Sequence, residues 1–86
     1  MSAFDRYDRQ FYEARCDGSL QSARAIAPII LNYFPVRSVV DIGCGIGTWL
    51  KVFEENGVPY ILGIDGPHVD QNMLVIQQEK VLAADL

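Results

Sequence analysis

Val39-Val40-Asp41-Ile42-Gly43-Cys44-Gly45-Ile46-Gly47 is the stretch on which the fold turns. A β-branched run leads into three glycines at alternate positions, with one carboxylate two residues before the first of them. Val36 to Ile42 reads as a strand that is apolar on both faces, the pattern of a buried parallel strand. Gly43 to Gly47 reads as a tight turn. Thr48 to Asn56 reads as a helix burying Trp49, Leu50 and Phe53, closed by Asn56-Gly57. In open α/β sheets, ligands bind where such a turn leaves the carboxyl end of a strand. Gly43 and Gly45 let the backbone take positive φ and approach a ligand closely. Gly47 is expected to let the helix pack tightly on the strand.

The same reading extends outward in both directions. Pro59 to Asp65 is a second buried strand, with Tyr60-Ile61-Leu62-Gly63-Ile64 as its apolar run, and Gly66-Pro67 is a turn. Asp70 to Gln78 is ambiguous, with room for a short helix. Lys80 to Leu86 reads as a third strand ending at Asp85. Upstream, Leu20, Ala23, Ala27, Ile30, Leu31 and Phe34 recur at helical spacing. Pro28 predicts a kink or restart in that helix, and Pro35 ends it. An earlier amphipathic segment carries Tyr7, Phe11 and Ala14 on one face, and Gly18-Ser19 is expected to break it. The division is thus an N-terminal helical cap over residues 1–18 and an α/β half-domain over residues 19–86. Strands separated by helices imply parallel pairing with right-handed crossovers. The fold expected is α/β: the first half of a Rossmann-like, doubly wound parallel sheet.

Glycine spacing bears on the ligand. Dinucleotide-binding turns follow G-x-G-x-x-G, with the pyrophosphate on the helix N-terminus. Here the spacing is G-x-G-x-G, and Thr48 stands where a third dinucleotide glycine would fall. A carboxylate at Asp41 suits a cationic ligand better than one carrying two phosphates. Asp65, 22 residues after Gly43, ends the second strand, where a carboxylate can accept from both ribose hydroxyls. Asp85 ends the third strand, where it can accept from an exocyclic adenine amine while the Leu86 N–H serves a ring nitrogen. Three acids at one edge of three strands would line a single groove.

Composition narrows the classes. The chain has 86 residues, half of them hydrophobic and 21% charged, which are globular proportions. Its net charge is −4, with a pI near 4.6, which argues against a nucleic-acid surface. No apolar run reaches the roughly 18 residues of a membrane span, and the polar N-terminus lacks a signal-peptide layout, so a cytoplasmic protein without membrane contact is expected. Cys16, Cys44 and His68 form no disulfide or metal pattern. Cys44 reads as a small residue suited to a crowded loop, His68 as a solvated loop residue, and Glu54 and Glu55 as a solvated face. Trp49 and Phe53 read as core, and Tyr7, Phe11 and Tyr12 as a packed helix rather than a lid.

Asp41-Ile42-Gly43-Cys44-Gly45-Ile46-Gly47 resembles motif I of the class I S-adenosylmethionine-dependent methyltransferases. Gly47-Thr48-Trp49-Leu50 and Gly63-Ile64-Asp65-Gly66 also resemble that family, its small-molecule and glycan-modifying branches in particular. The resemblance covers roughly Leu20 to Leu86. It implies that Asp41, Gly43, Cys44, Gly45, Gly47, Asp65, Gly66, Asp85 and Leu86 bind S-adenosyl-L-methionine, with no metal and with catalytic residues unassigned. The implied reaction is methyl transfer to a small-molecule or glycan acceptor. The family's sheet has seven strands ordered 3-2-1-4-5-7-6, of which this chain is expected to supply the first three, so that the chain alone would be inactive. Its first strand, Val39 to Asp41, would then lie at a bare edge that recruits a second copy. The competing readings are a non-catalytic module that binds the nucleotide or oligomerises, and, disfavoured by the glycine spacing, an NAD-binding domain.

Overall fold

A computed structural model of the chain describes residues 3–67 and 69–84, with side chains from residue 18 onward. Its elements are α1 (Ala3–Tyr33), β1 (Ser38–Ile42), α2 (Thr48–Glu55), β2 (Tyr60–Asp65) and β3 (Val81–Ala83). Two single 3-10 turns follow β2: Gln71–Met73 lies in the ambiguous stretch, and Gln78–Lys80 begins at its end and takes Lys80 from the expected third strand. The strands form one parallel sheet in the order β1-β2-β3, which bears out the Rossmann-like α/β reading.

The N-terminal half corrects the break expected at Gly18-Ser19 and, of the kink or restart expected at Pro28, the restart. α1 is one helix of 31 residues, unbroken at Gly18-Ser19 and not restarted at Pro28. Pro28 lies on the exposed side of α1 together with Arg24, four residues earlier. The Arg24 carbonyl, which loses its helical donor, therefore faces solvent and water can serve it. The opposite side carries Ala23 and Ala27, both fully buried, flanked by the half-buried Leu20, Ile30 and Leu31. Two alanines one turn apart allow α1 to lie close on α2. Phe34, expected on that face, is 62% exposed. The side chains of Tyr7, Phe11, Tyr12 and Cys16 lie outside the described residues, as does His68.

α2 buries Leu50, Val52 and Phe53 against the sheet, with Trp49 half-buried beside them. It ends where Asn56 turns back, its N–H and its side-chain amide both donating to the Val52 carbonyl. On β2, Ile61, Gly63 and Asp65 are buried under the helix layer, whereas Tyr60 is exposed. β1 is a further correction. It starts at Ser38, because the Val36 N–H is spent on the Phe34 carbonyl in a tight turn. It is also far from buried: Val40 is 57% and Ile42 70% exposed. Among the described residues the helices cover one face of the sheet only, and β1 has β2 as its single ladder partner. β3 is shorter than expected, and Asp85 and Leu86 lie outside the described residues.

Candidate functional site

The turn between β1 and α2 is built from three left-handed glycines, with φ of +80° at Gly43, +58° at Gly45 and +91° at Gly47. An L-residue in that conformation costs roughly 1–2 kcal/mol, which is why the positions are glycine. A methyl group added at Gly43 or Gly45 would meet nothing within 4 Å, so the outer surface of the turn is open to a ligand. Gly47 is different. A methyl group there would lie 2.8 Å from the Ile76 side chain. The room it leaves serves the connector between β2 and β3 rather than the strand, contrary to the expectation from sequence. Close approach of α2 to the sheet comes instead from Gly63 on β2, where an added Cβ would fall 2.5 Å from Cys44 Sγ and 3.0 Å from Leu50 Cδ1.

β2 holds this turn in place. The Ile64 carbonyl accepts from the Gly43 N–H at 2.6 Å and the Cys44 N–H at 3.3 Å. The Asp65 carboxylate accepts from the Gly45 N–H at 2.6 Å through one oxygen and from the Gly66 N–H at 2.7 Å through the other. Hydrogen bonds to a charged acceptor are about twice as strong as neutral ones. Asp65 is nearly buried, at 9% exposure. Across the turn, the Gly47 N–H donates to the Cys44 carbonyl at 3.0 Å, and the Lys51 N–H donates to the Gly47 carbonyl at 2.9 Å, opening α2.

Asp41 is half-buried on β1, on the helix-facing side of the sheet that also carries Asp65. Burial, and secondarily the nearby Asp65 charge, push its carboxyl above the ordinary range. The Cys44 thiol is likewise raised, by burial first and then by Asp65 and Asp41, with partial relief from its bond to the backbone. A thiol held protonated is a poor nucleophile, so Cys44 acts here as packing over Gly63. Ile30, Val39, Val40, Trp49 and Phe53, with Asp41, line a cavity of about 340 Å³ between α1, β1 and α2. A carboxylate and an indole at an otherwise apolar cavity favour a cation.

The structure thus brings Asp41, Gly43, Cys44, Gly45, Gly47, Asp65 and Gly66 together at the carboxyl ends of β1 and β2. Two contributors were not evident from sequence: Gly63, which seats Cys44 and Leu50, and Ile76, which abuts Gly47. A glycine inside a strand is itself a sign of close approach. No comparable signal marks Ile76. Among the described residues no group of His, Cys, Asp or Glu is arranged to hold a metal, and no helix is long and apolar enough to cross a membrane.

A family model described as a methyltransferase domain matches residues 7–85. Comparison with curated proteins and with solved structures gives no match.

Proposed function

The chain belongs to the methyltransferase-domain family, and on that premise we propose that its glycine turn binds S-adenosylmethionine for methyl transfer to a small-molecule or glycan acceptor. The observation that carries the reading is the turn itself: open, left-handed glycines stapled to β2 by Asp65, beside a carboxylate that burial and the Asp65 charge push above the ordinary range. The residues fit this cofactor. The space outside Gly43 and Gly45 admits a ligand against bare backbone. Asp41, strained by burial, gains from a cationic neighbour. The same two acids oppose a pyrophosphate at this turn, which favours a sulfonium nucleoside over a dinucleotide.

S-adenosylmethionine, when bound, supplies a methyl group activated by a sulfonium centre. The chain's own contribution is binding and alignment. Asp41 offers its charge to the ligand's cationic portion. Asp65 fixes the turn, and a carboxylate with about four acceptor sites can also receive ribose hydroxyls. Asp85 and Leu86 are the residues proposed for adenine. Orientation of reacting groups lowers a barrier by up to roughly 7–11 kcal/mol, so a rigid turn is the feature that matters most. The acceptor class rests on the similarity of Gly47-Thr48-Trp49-Leu50 and Gly63-Ile64-Asp65-Gly66 to the small-molecule and glycan branches.

Calorimetric titration with S-adenosylhomocysteine, with NADH as the comparison ligand, tests the reading. Saturable binding of the first alone is expected. Preference for NADH, or heat from neither, would contradict it.

A further inference from the structure

We propose that Ile76 is a positioning residue: from the connector between β2 and β3 it holds Gly47, and through Gly47 the conformation of the whole glycine turn. The ligand part of this inference rests on the methyltransferase reading; the conformational part does not.

Three observations meet at this point. Ile76 Cδ1 and Cγ1 occupy the place that a Gly47 side chain would take, 2.8 Å from an ideal Cβ. The neighbouring Val75 N–H donates to the Ile46 carbonyl at 2.9 Å, so backbone and side chain of adjacent connector residues grip adjacent residues of the turn. Ile76 is also the one residue of the described connector that is buried. It is 7% exposed, while Val75 is 41% exposed and Gln77 and Gln78 are exposed.

Gly47 is a sensitive place to grip. It is the residue before α2, its N–H closes the turn onto Cys44, and its carbonyl opens the helix. Asp65 holds the turn from β2 at Gly45, and Ile76 holds it from the connector at Gly47. With both in place the turn has little freedom to flatten, and its open glycines keep the shape a ligand meets.

The alternative is that Ile76 is one more core side chain. Amide hydrogen exchange distinguishes the two in the chain and its Ile76→Ala, Ile76→Val and Val58→Ala variants. Val58 is as buried as Ile76 but lies after α2 and two residues before β2, away from the turn. Ile76→Ala is expected to speed exchange at Gly45 and Gly47 by roughly tenfold relative to Ile61 and Leu62. Ile76→Val is expected to give the same pattern at smaller amplitude, and it carries the test if the alanine variant does not fold. Val58→Ala is expected to speed all four amides together. Uniform acceleration in the Ile76 variants would overturn the proposal. In parallel, the dissociation constant for S-adenosylhomocysteine is expected to rise roughly tenfold in Ile76→Ala and to stay unchanged in Val58→Ala. Absence of binding even to the unmodified chain would refute the ligand reading, while the exchange pattern would still decide the role of Ile76.

Discussion

The Asp65 carboxylate accepts the Gly45 backbone N–H at 2.6 Å, joining the end of β2 to the middle of the turn that follows β1. Twenty residues of chain separate the two, and the bond makes the turn's shape depend on the neighbouring strand. Asp65→Asn places an amide where a second charge-assisted acceptor was needed, and either the Gly45 or the Gly66 contact becomes donor against donor. A loss of about 1.5–3 kcal/mol of stability is expected. Chemical denaturation measures it, and binding of S-adenosylhomocysteine should fall further than the stability change alone explains.

Gly47→Ala combines two penalties. The left-handed backbone costs roughly 1–2 kcal/mol, and the new methyl group overlaps Ile76, an overpacking worth about 1–3 kcal/mol. The thermal midpoint should drop more than for Gly43→Ala, where the left-handed penalty stands alone in open space. Equal drops would show that Ile76 gives way freely.

Gly63→Ala drives a Cβ into Cys44 Sγ and Leu50 Cδ1. A loss of about 1–3 kcal/mol is expected, and Cys44→Ala in the same chain should restore part of it. A double-mutant cycle reads the coupling directly; strict additivity would place Cys44 elsewhere.

Asp41 has a folded-state pKa above its ordinary value. Its contribution to stability is therefore full below the ordinary carboxylate range and is lost as pH rises through the elevated folded value. Asp41→Asn removes the buried charge. The variant should melt higher than the parent at neutral pH, with the difference closing in acid, and should bind S-adenosylhomocysteine more weakly. Opposite signs for stability and affinity are the mark of a site residue. A melting difference that widened in acid would contradict the assignment.

Among the described residues β1 pairs with β2 on one side only, Val40 and Ile42 are largely exposed, and neither Lys nor Pro stands between Ser38 and Ile42. Such edges pair with other chains. Sedimentation should show self-association that grows with concentration and that Val40→Lys suppresses; a monomer at high concentration would count against it.

The parts of this fold that sequence made legible are those with local signals. β2 through Asp65, the extent of α2 and the parallel order follow from β-branched runs punctuated by glycine, and the left-handed Gly43 and Gly45 follow from their spacing, whereas Gly47, expected only to bring the helix close to the strand, is left-handed as well. The parts that escaped are set by contacts between distant residues. Gly18 and Pro28 carry strong local break signals, yet α1 runs through both while Ala23 and Ala27 press it onto α2. Val40 and Ile42 look like buried-strand residues, but their burial depends on neighbours that composition cannot reveal. Ile76 lies in a connector without periodicity, so nothing in its surroundings distinguishes it from Val75, which is far more exposed.

The most direct test of the central claim is a titration of the isotope-labelled chain with S-adenosylhomocysteine, followed through its backbone amide spectrum. The largest shifts are expected at Gly43, Gly45, Gly47 and Gly66, with the amides of Tyr60 and Ile61 at the opposite end of β2 unmoved. Saturable shifts confined to residues away from the turn, or no shifts at all, would contradict it.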